Sequence, residues 1–444
     1  MTFPFYPKYK ASGFIWLGDV PESWALKRLG HYFDERRERA SDTEFEPLSV
    51  TKHGIVPRLE SAAKTQDGDN RKKVLAGDFV INSRSDRKGS SGLSPLDGSV
   101  SLICTVLIPT GLHGPFIHHL FRSELFQEEY YRWGKGIVAD LWSTNFSDMK
   151  NIVLGVPSET EQTQIARFLD HETARIDALI EEQQRLIELL KEKGQAVISH
   201  AVTKGLDPMV PMKNSGVEWL GEVPAHWQVC KLSFRYSVEL GKMLDEKKNT
   251  GTNPLPYLRN QDVQWGRINI DGLPLIDIEP SEYERYTVRL GDLLVCEGGD
   301  VGRAAIWRRK GNKIGYQKAL HRLRPESPSR DTAEFFFFSL MAAKALGVFE
   351  ESDTKATISH LPAEKFRQYR FAFPPIEDQQ EIASVLREKR KRSTETISHA
   401  ENTITLLQER RSALISAAVT GKIDVRGWQP PASAQAHVLE AEAV

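Results

Sequence analysis

The chain has 444 residues, with 59 Lys plus Arg against 60 Asp plus Glu and a formal net charge of −1. That length exceeds a single core, and that balance excludes a globally basic nucleic-acid binder; any polyanion surface must be a local patch offset by acids elsewhere. No apolar run approaches the ~20 residues that span a bilayer, and the start, MTFPFYPKYKASG, lacks a signal-peptide layout. Three separated cysteines, Cys104, Cys230 and Cys296, form no CxxC pair, so a cytoplasmic protein with buried free thiols is expected.

The first element in chain order is a motif that returns. IWLGDVPESW runs from Ile15 to Trp24 and EWLGEVPAHW from Glu218 to Trp227, so Trp16 meets Trp219 at an offset of 203. At that offset Lys10, Ser12 and Gly13 meet Lys213, Ser215 and Gly216. Gly77-Asp78 then echoes Gly291-Asp292 at 214, and VPSETEQTQIARFLD echoes FPPIEDQQEIASVLR at 217. Ala201-Val202-Thr203 echoes Ala418-Val419-Thr420, also at 217. Four echoes in one order identify two copies of one unit, each far longer than a solenoid repeat.

Between Trp24 and Pro157, and again between Trp227 and Pro374, short apolar runs alternate with Gly, Asp and Asn turns. FVINS, VSLICTVLIP, DLLVCE and AAIWRR read as strands. SELFQEEYYRWG and TAEFFFFSLMAAKAL read as helices, with the four phenylalanines at 335–338 as core. Each body is therefore expected to be an α+β domain.

The loops of these bodies hold side chains suited to reading bases. The first body offers Ser83, Arg84, Arg87, Lys88 and Ser90, followed by Lys135. The second offers Arg259, Asn260, Gln261, Arg303 and Arg308, followed by Tyr316, Gln317, Lys318 and Lys355. Arg reaches guanine O6 and N7, Asn or Gln reaches adenine N6 and N7, and Gly lets the backbone approach phosphate. Polar, basic loops are also ordinary protein surface.

Each copy closes with a helix. After Pro157, Ser158-x-x-Glu161 has the form of a capping box. Apolar residues follow at Ile165, Leu169, Ile176, Leu179, Leu186, Leu190 and Val197, until Gly205 stops the helix. In the second copy Ile382, Leu386, Ile397, Ala400, Ile404, Leu407 and Leu414 precede Gly421. The count from Glu161 to Thr203 equals that from Asp378 to Thr420, which at ~1.5 Å per residue gives two helices of roughly 65 Å. A narrow apolar seam of that length is unstable alone, so the two are expected to pair antiparallel as a coiled coil, a ruler between the bodies. Gly194 and the stretch 393–396 predict local bending, and the run REKRKR (387–392) reads as a solvated face with phosphate contact as its alternative.

Catalytic signatures do not emerge. The Gly-Lys pairs at Lys135, Lys242 and Lys422 lack the following Ser or Thr of a P-loop. Asn253-Pro254-Leu255-Pro256-Tyr257 approaches a base-flipping turn, but Leu255 breaks its spacing. His113, His118 and His119 have no Cys or acid at ligand spacing, and Asp148-Met149-Lys150 lacks an upstream acid. What recurs between the copies is scaffold, which points to binding rather than chemistry.

SGxxWLGxVPxxW from Ser12 and from Ser215, the turns at Asp78 and Asp292, the helix openings at Glu161-Gln162 and Asp378-Gln379-Gln380, and the AVT endings together carry a resemblance. The chain resembles the specificity (S) subunit of type I restriction-modification enzymes over nearly its whole length. The resemblance implies two target-recognition domains separated by two antiparallel helices, each domain reading half of a split double-stranded DNA target. It implies two methyltransferase (M) subunits that use S-adenosylmethionine and nuclease (R) subunits that use ATP and Mg, with no cofactor or catalytic residue on this chain. It covers an orphan or methylation-only specificity subunit as well, and the residues alone leave a protein-interaction scaffold open. The expected boundaries are a conserved segment at 1–23, recognition domains at 24–155 and 227–372, helices at 156–205 and 373–425, a connector at 206–226 and a disordered tail at 426–444.

Overall fold

The computed structural model describes residues 3–59, 68, 70–136, 142–245, 249–311, 313–350 and 360–431. It divides into two units, 1–183 with 401–444 and 184–400.

The first unit is built on an antiparallel sheet of β1 (Phe33–Glu35), β2 (Phe79–Asn82), β3 (Ser91–Leu93) and β4 (Cys104–Pro109), in the order β3-β2-β4-β1. The second has β5 (Tyr236–Leu240), β6 (Leu293–Cys296), β7 (Ala304–Ile306) and β8 (Leu320–Pro325), in the order β5-β8-β6-β7. Read from the other edge this is the same topology, strand for strand, so the duplication extends into the bodies where the sequences have diverged. Hydrophobic burial holds each sheet to its helices: Phe116, Phe121 and Phe126 are buried in the first unit, and all four phenylalanines of 335–338 in the second. The helix Ala333–Ala345 falls where the sequence predicts it, and Glu124–Arg132 is preceded by a further helix, Gly114–Arg122.

The long helices are Glu159–Lys204 and Ile376–Val419. Both run as unbroken helix through Gly194 and through 393–396, and a Cβ at Gly194 would meet nothing within 4 Å. In the first unit Ile165, Leu169 and Ile176, early in the first helix, share one core with Leu414, Ile415 and Ala418, late in the second. Arg411 clamps Asp177 there, with Nε 2.9 Å from Oδ1. In the second unit Ile198 and Val202, late in the first helix, share a core with Ile382 and Leu386, early in the second. Within each unit the helices therefore run antiparallel, with apolar residues of both in one core.

The repeated motifs have structural employment. Lys10 Nζ donates to the carbonyls of Glu22 and Trp24, and Lys213 Nζ to those of Ala225 and Trp227. Gly18 (φ +60°) and Gly221 (φ +58°) take the left-handed turn that only Gly adopts without strain. Asp78 accepts both Nε and a terminal nitrogen of Arg36, while Asp292 does the same with Arg324. The helix-opening glutamines weld helix to body. Gln162 accepts from the His113 N–H and donates to the Pro157 carbonyl; Gln379 accepts from the Thr332 N–H and donates to the Pro374 carbonyl.

The predicted capping box forms by half. The Glu161 N–H donates to Ser158 Oγ at 3.4 Å, but the Glu161 carboxylate turns to the Trp24 indole (3.0 Å) and the Tyr6 hydroxyl (2.6 Å). A buried indole N–H without a partner is costly, so tertiary demand overrides the local cap. Residues 426–431 of the segment expected to be a disordered tail are described. Trp428 packs edge-on to Phe168 at 5.3 Å and its carbonyl accepts from Gln164 at 2.5 Å, whereas 432–444 lie outside the described residues.

Candidate nucleic-acid interface

In both bodies the candidate residues gather where the sheet's second strand ends. After β2 the Ser83 carbonyl accepts from the Thr144 N–H at 3.0 Å, and Ser85 N–H donates to the Trp142 carbonyl at 2.9 Å. Arg84 and Lys135 both bridge to Ser143, which sets them side by side with the half-exposed Trp142. After β6 the pattern repeats: Glu297 N–H donates to the Ala319 carbonyl, Leu361 N–H to the Glu297 carbonyl, and Gly298 bridges His360. Residues 83–90 thus correspond to 297–303, and 142–144 to 360–361. Neither Trp142 and Ser143 nor His360 stood out in the sequence, because their place depends on long-range pairing.

The exposed cations of the first loop are held by acids. Arg84 Nε lies 3.2 Å from Asp86, Arg87 Nε 3.7 Å from the same residue, Lys135 Nζ 2.6 Å from Asp148, and Lys88 pairs with Glu128. Such exposed pairs contribute about 0–1 kcal/mol each, so exchanging a carboxylate for a phosphate or base edge costs little. Ser83 and Ser90 are buried, and Ser83 Oγ donates to the Ile103 carbonyl; they shape the loop from within.

In the second unit Arg303 donates to both the side-chain oxygen (2.9 Å) and the carbonyl (3.1 Å) of Asn260. Asn260 Nδ2 in turn donates to the Gly298 (3.0 Å) and Ala319 (3.3 Å) carbonyls. Asn260 is therefore a loop tie, its amide already occupied, and Arg303 positions it. Arg259 folds back onto Asp262, which leaves Gln261 and Lys318 as the exposed groups, with Gln317 half-buried. Two expected residues stand elsewhere. Tyr316 is 1% exposed and its hydroxyl donates to the Arg285 carbonyl, so burial takes it out of reach. Arg308 follows β7 at the opposite end of the sheet and pairs with Glu334 at 2.8 Å. Lys355 lies outside the described residues.

Beneath this loop end His321, wholly buried, hydrogen-bonds the Leu361 carbonyl through Nε2 at 2.8 Å. Burial pushes its pKa down from 6.5 to about 4. Between those values the unfolded chain takes a proton that the folded one refuses, so stability falls as pH drops through this window and is unaffected above it. The loss at pH 5 relative to pH 7.5 should be on the order of 2 kcal/mol. Urea unfolding at the two pH values checks this, and His321→Gln should remove that share of the difference.

The three cysteines are free and buried, and burial pushes the Cys104 thiol up to about 12. No cluster able to hold a metal occurs among the described residues, and no described helix is long and apolar enough to cross a membrane.

A duplicated scaffold presenting two different polar loop ends has the build of a two-headed binding protein. A family profile described as "Type I restriction modification DNA specificity domain" matches residues 225–406. The chain is 28% identical over 229 residues to the type I restriction enzyme EcoKI specificity subunit of Escherichia coli K12, covering 50% of this chain and 47% of that relative. It is 22% identical over 377 residues to the StySPI specificity subunit of Salmonella potsdam, covering 80% and 77%. Among solved structures, a chain from a study of assembly and conformational transition in the type I R-M system shares the fold with a TM-score of 0.65 at 18% identity, covering 90% of this chain and 98% of that one. The HsdS subunit from Thermoanaerobacter tengcongensis shares it with a TM-score of 0.55 at 17% identity, covering 91% and 98%. Residues 225–406 thus match a type I restriction modification DNA specificity domain, and the chain is similar to type I specificity subunits, spanning about half the length of the first of these relatives.

Proposed function

We propose that this chain reads a split, asymmetric double-stranded DNA target, one half per body, for a type I system working in the cytoplasm. The observation that carries the reading is the pair of equivalent loop ends bearing different side chains on one duplicated scaffold. Equal ends would suit a palindrome; Arg84, Arg87 and Lys135 at one and Gln261, Arg303 and Lys318 at the other suit two unlike half-sites. The chain itself contributes no catalysis: two methyltransferase subunits bring S-adenosylmethionine, and nuclease subunits bring ATP and Mg. Its own share of the work is to hold loops in place through internal ties so that few rotamers are lost on binding.

The test is a genome-wide map of methyladenine in a methylation-free host making this chain with its methyltransferase partner. A split motif whose halves change separately when either body is exchanged supports the reading. A blank map from an intact complex, or binding indifferent to salt, would replace it with a protein-interaction scaffold.

Equal helix counts in the two copies motivate the ruler. Adding four residues to one long helix lengthens it by ~6 Å. The unspecified gap should then change by one or two base pairs while both half-sites keep their sequence; an unchanged gap in the methylation map would refute the ruler.

A further inference from the structure

The second unit carries a group of cations away from its recognition loop. After β7 the sequence bears Arg308, Arg309 and Lys310 in succession, with Lys313 three residues on. Arg308 reaches Glu334, and the same carboxylate takes Arg387 from the second long helix, so one acid joins turn and helix. Arg390 lays its guanidinium 5.4 Å from the Phe337 ring centroid and donates to the Trp265 carbonyl at 3.0 Å. Arg308, Arg387, Arg390 and Lys391 border a groove of 330 Å³ that holds only two acids, Glu334 and Glu395. Arg309, Lys310 and Lys313 border another of 560 Å³, and a third opening that Arg308 lines shares Arg289 and Trp307 with it. Arg309, Lys310 and Lys391 have no carboxylate partner among the described residues.

The duplication supplies an internal comparison. With β3 set on β7, Arg309 and Lys310 fall on Leu96 and Asp97; with the long helices aligned at 217, Arg387, Arg390 and Lys391 fall on Asp170, Thr173 and Ala174. Residues needed by the scaffold recur in both copies, as Gln162 and Gln379 do. These cations do not recur, although the positions do.

We propose that this strip is a sequence-independent clamp on DNA phosphates, built from cations that the equivalent positions of the first unit lack. The proposal rests on the DNA-reading function above. Strands of three to six residues, such as β7 and β8, span only ~10–20 Å, so the two ends of the sheet stand less than one ~34 Å turn of duplex apart. Phosphate contacts of this kind set affinity and register without adding sequence information.

The test replaces Arg309, Lys310, Arg387 and Lys391 with alanine in the full chain, assembled with its methyltransferase partner, and measures binding to target duplex across salt. Each lost phosphate contact should flatten the log K against log[salt] line by ~0.9, so a slope shallower by about 2–4 is expected, with the methylated sequence unchanged. The charge-preserving pair Arg309→Lys and Arg387→Lys should retain the wild-type slope, which separates a lost clamp from a folding defect. A quadruple variant with the wild-type slope overturns the proposal. So does loss of methyltransferase assembly at an unchanged slope, which would make the strip a protein-docking surface. Should the wild-type complex bind no duplex at all, the DNA reading itself fails and the clamp with it.

Discussion

Asp331→Ala should destabilise the second unit by about 3–5 kcal/mol. The Asp331 side chain is wholly buried and accepts Arg235 through Nε at 2.8 Å and a terminal nitrogen at 2.6 Å. It also accepts Gln379 Nε2 at 3.2 Å, and Arg235 lies 4.7 Å from the Phe373 ring centroid. One carboxylate thus ties the start of β5, the entry to the helix Ala333–Ala345 and the first turn of the second long helix. Its removal leaves a buried guanidinium without its countercharge, and desolvation makes that far more expensive than losing an exposed pair. Urea unfolding should show the transition of the second unit moving to lower denaturant while that of the first stays. Replacing both partners with apolar residues, Arg235→Met with Asp331→Leu, should recover much of the loss; a loss of under 1 kcal/mol in the single variant would show the knot to be unimportant.

Arg303→Ala should relax one half of the DNA target and spare the other. Arg303 ties Asn260, and through Asn260 the Gly298 and Ala319 carbonyls, so the variant loosens the whole loop end rather than one contact. Discrimination against single mismatches in that half should fall by about 1–3 kcal/mol, roughly 5- to 150-fold. Arg87→Ala should do the same for the opposite half, by a smaller amount because among the described residues it pairs with exposed Asp86 alone. Methyladenine counts at near-target sites give both numbers. Equal relaxation in both halves would trace the effect to folding instead of reading.

The duplication, the two long helices and their glycine stops were legible in the sequence, because periodicity and capping are local and survive divergence. So was the core role of the phenylalanines at 335–338. How the candidate residues are grouped in space was only partly legible. Arg84, Arg87, Lys135, Gln261 and Lys318 stand at the loop ends, whereas Tyr316 turned inward and Arg308 fell at the far end of the sheet. The three-residue strand β7 puts Arg303 and Arg308 at opposite ends of the sheet, and residue type does not reveal which face a side chain takes once strands pair.

The same division holds for the polar scaffold. The repeated motifs announced that Glu161, Gln162 and Gln379 open helices, and local rules assigned Glu161 to a capping box. Only tertiary packing decided that Glu161 serves a buried tryptophan and that both glutamines weld helix to body. By itself the sequence determined how many units there are, where each helix starts and stops, and which residues the scaffold repeats. The tertiary structure decided which polar groups face outward and which are consumed within, because burial and long-range hydrogen bonds weigh more than the preferences of any short segment.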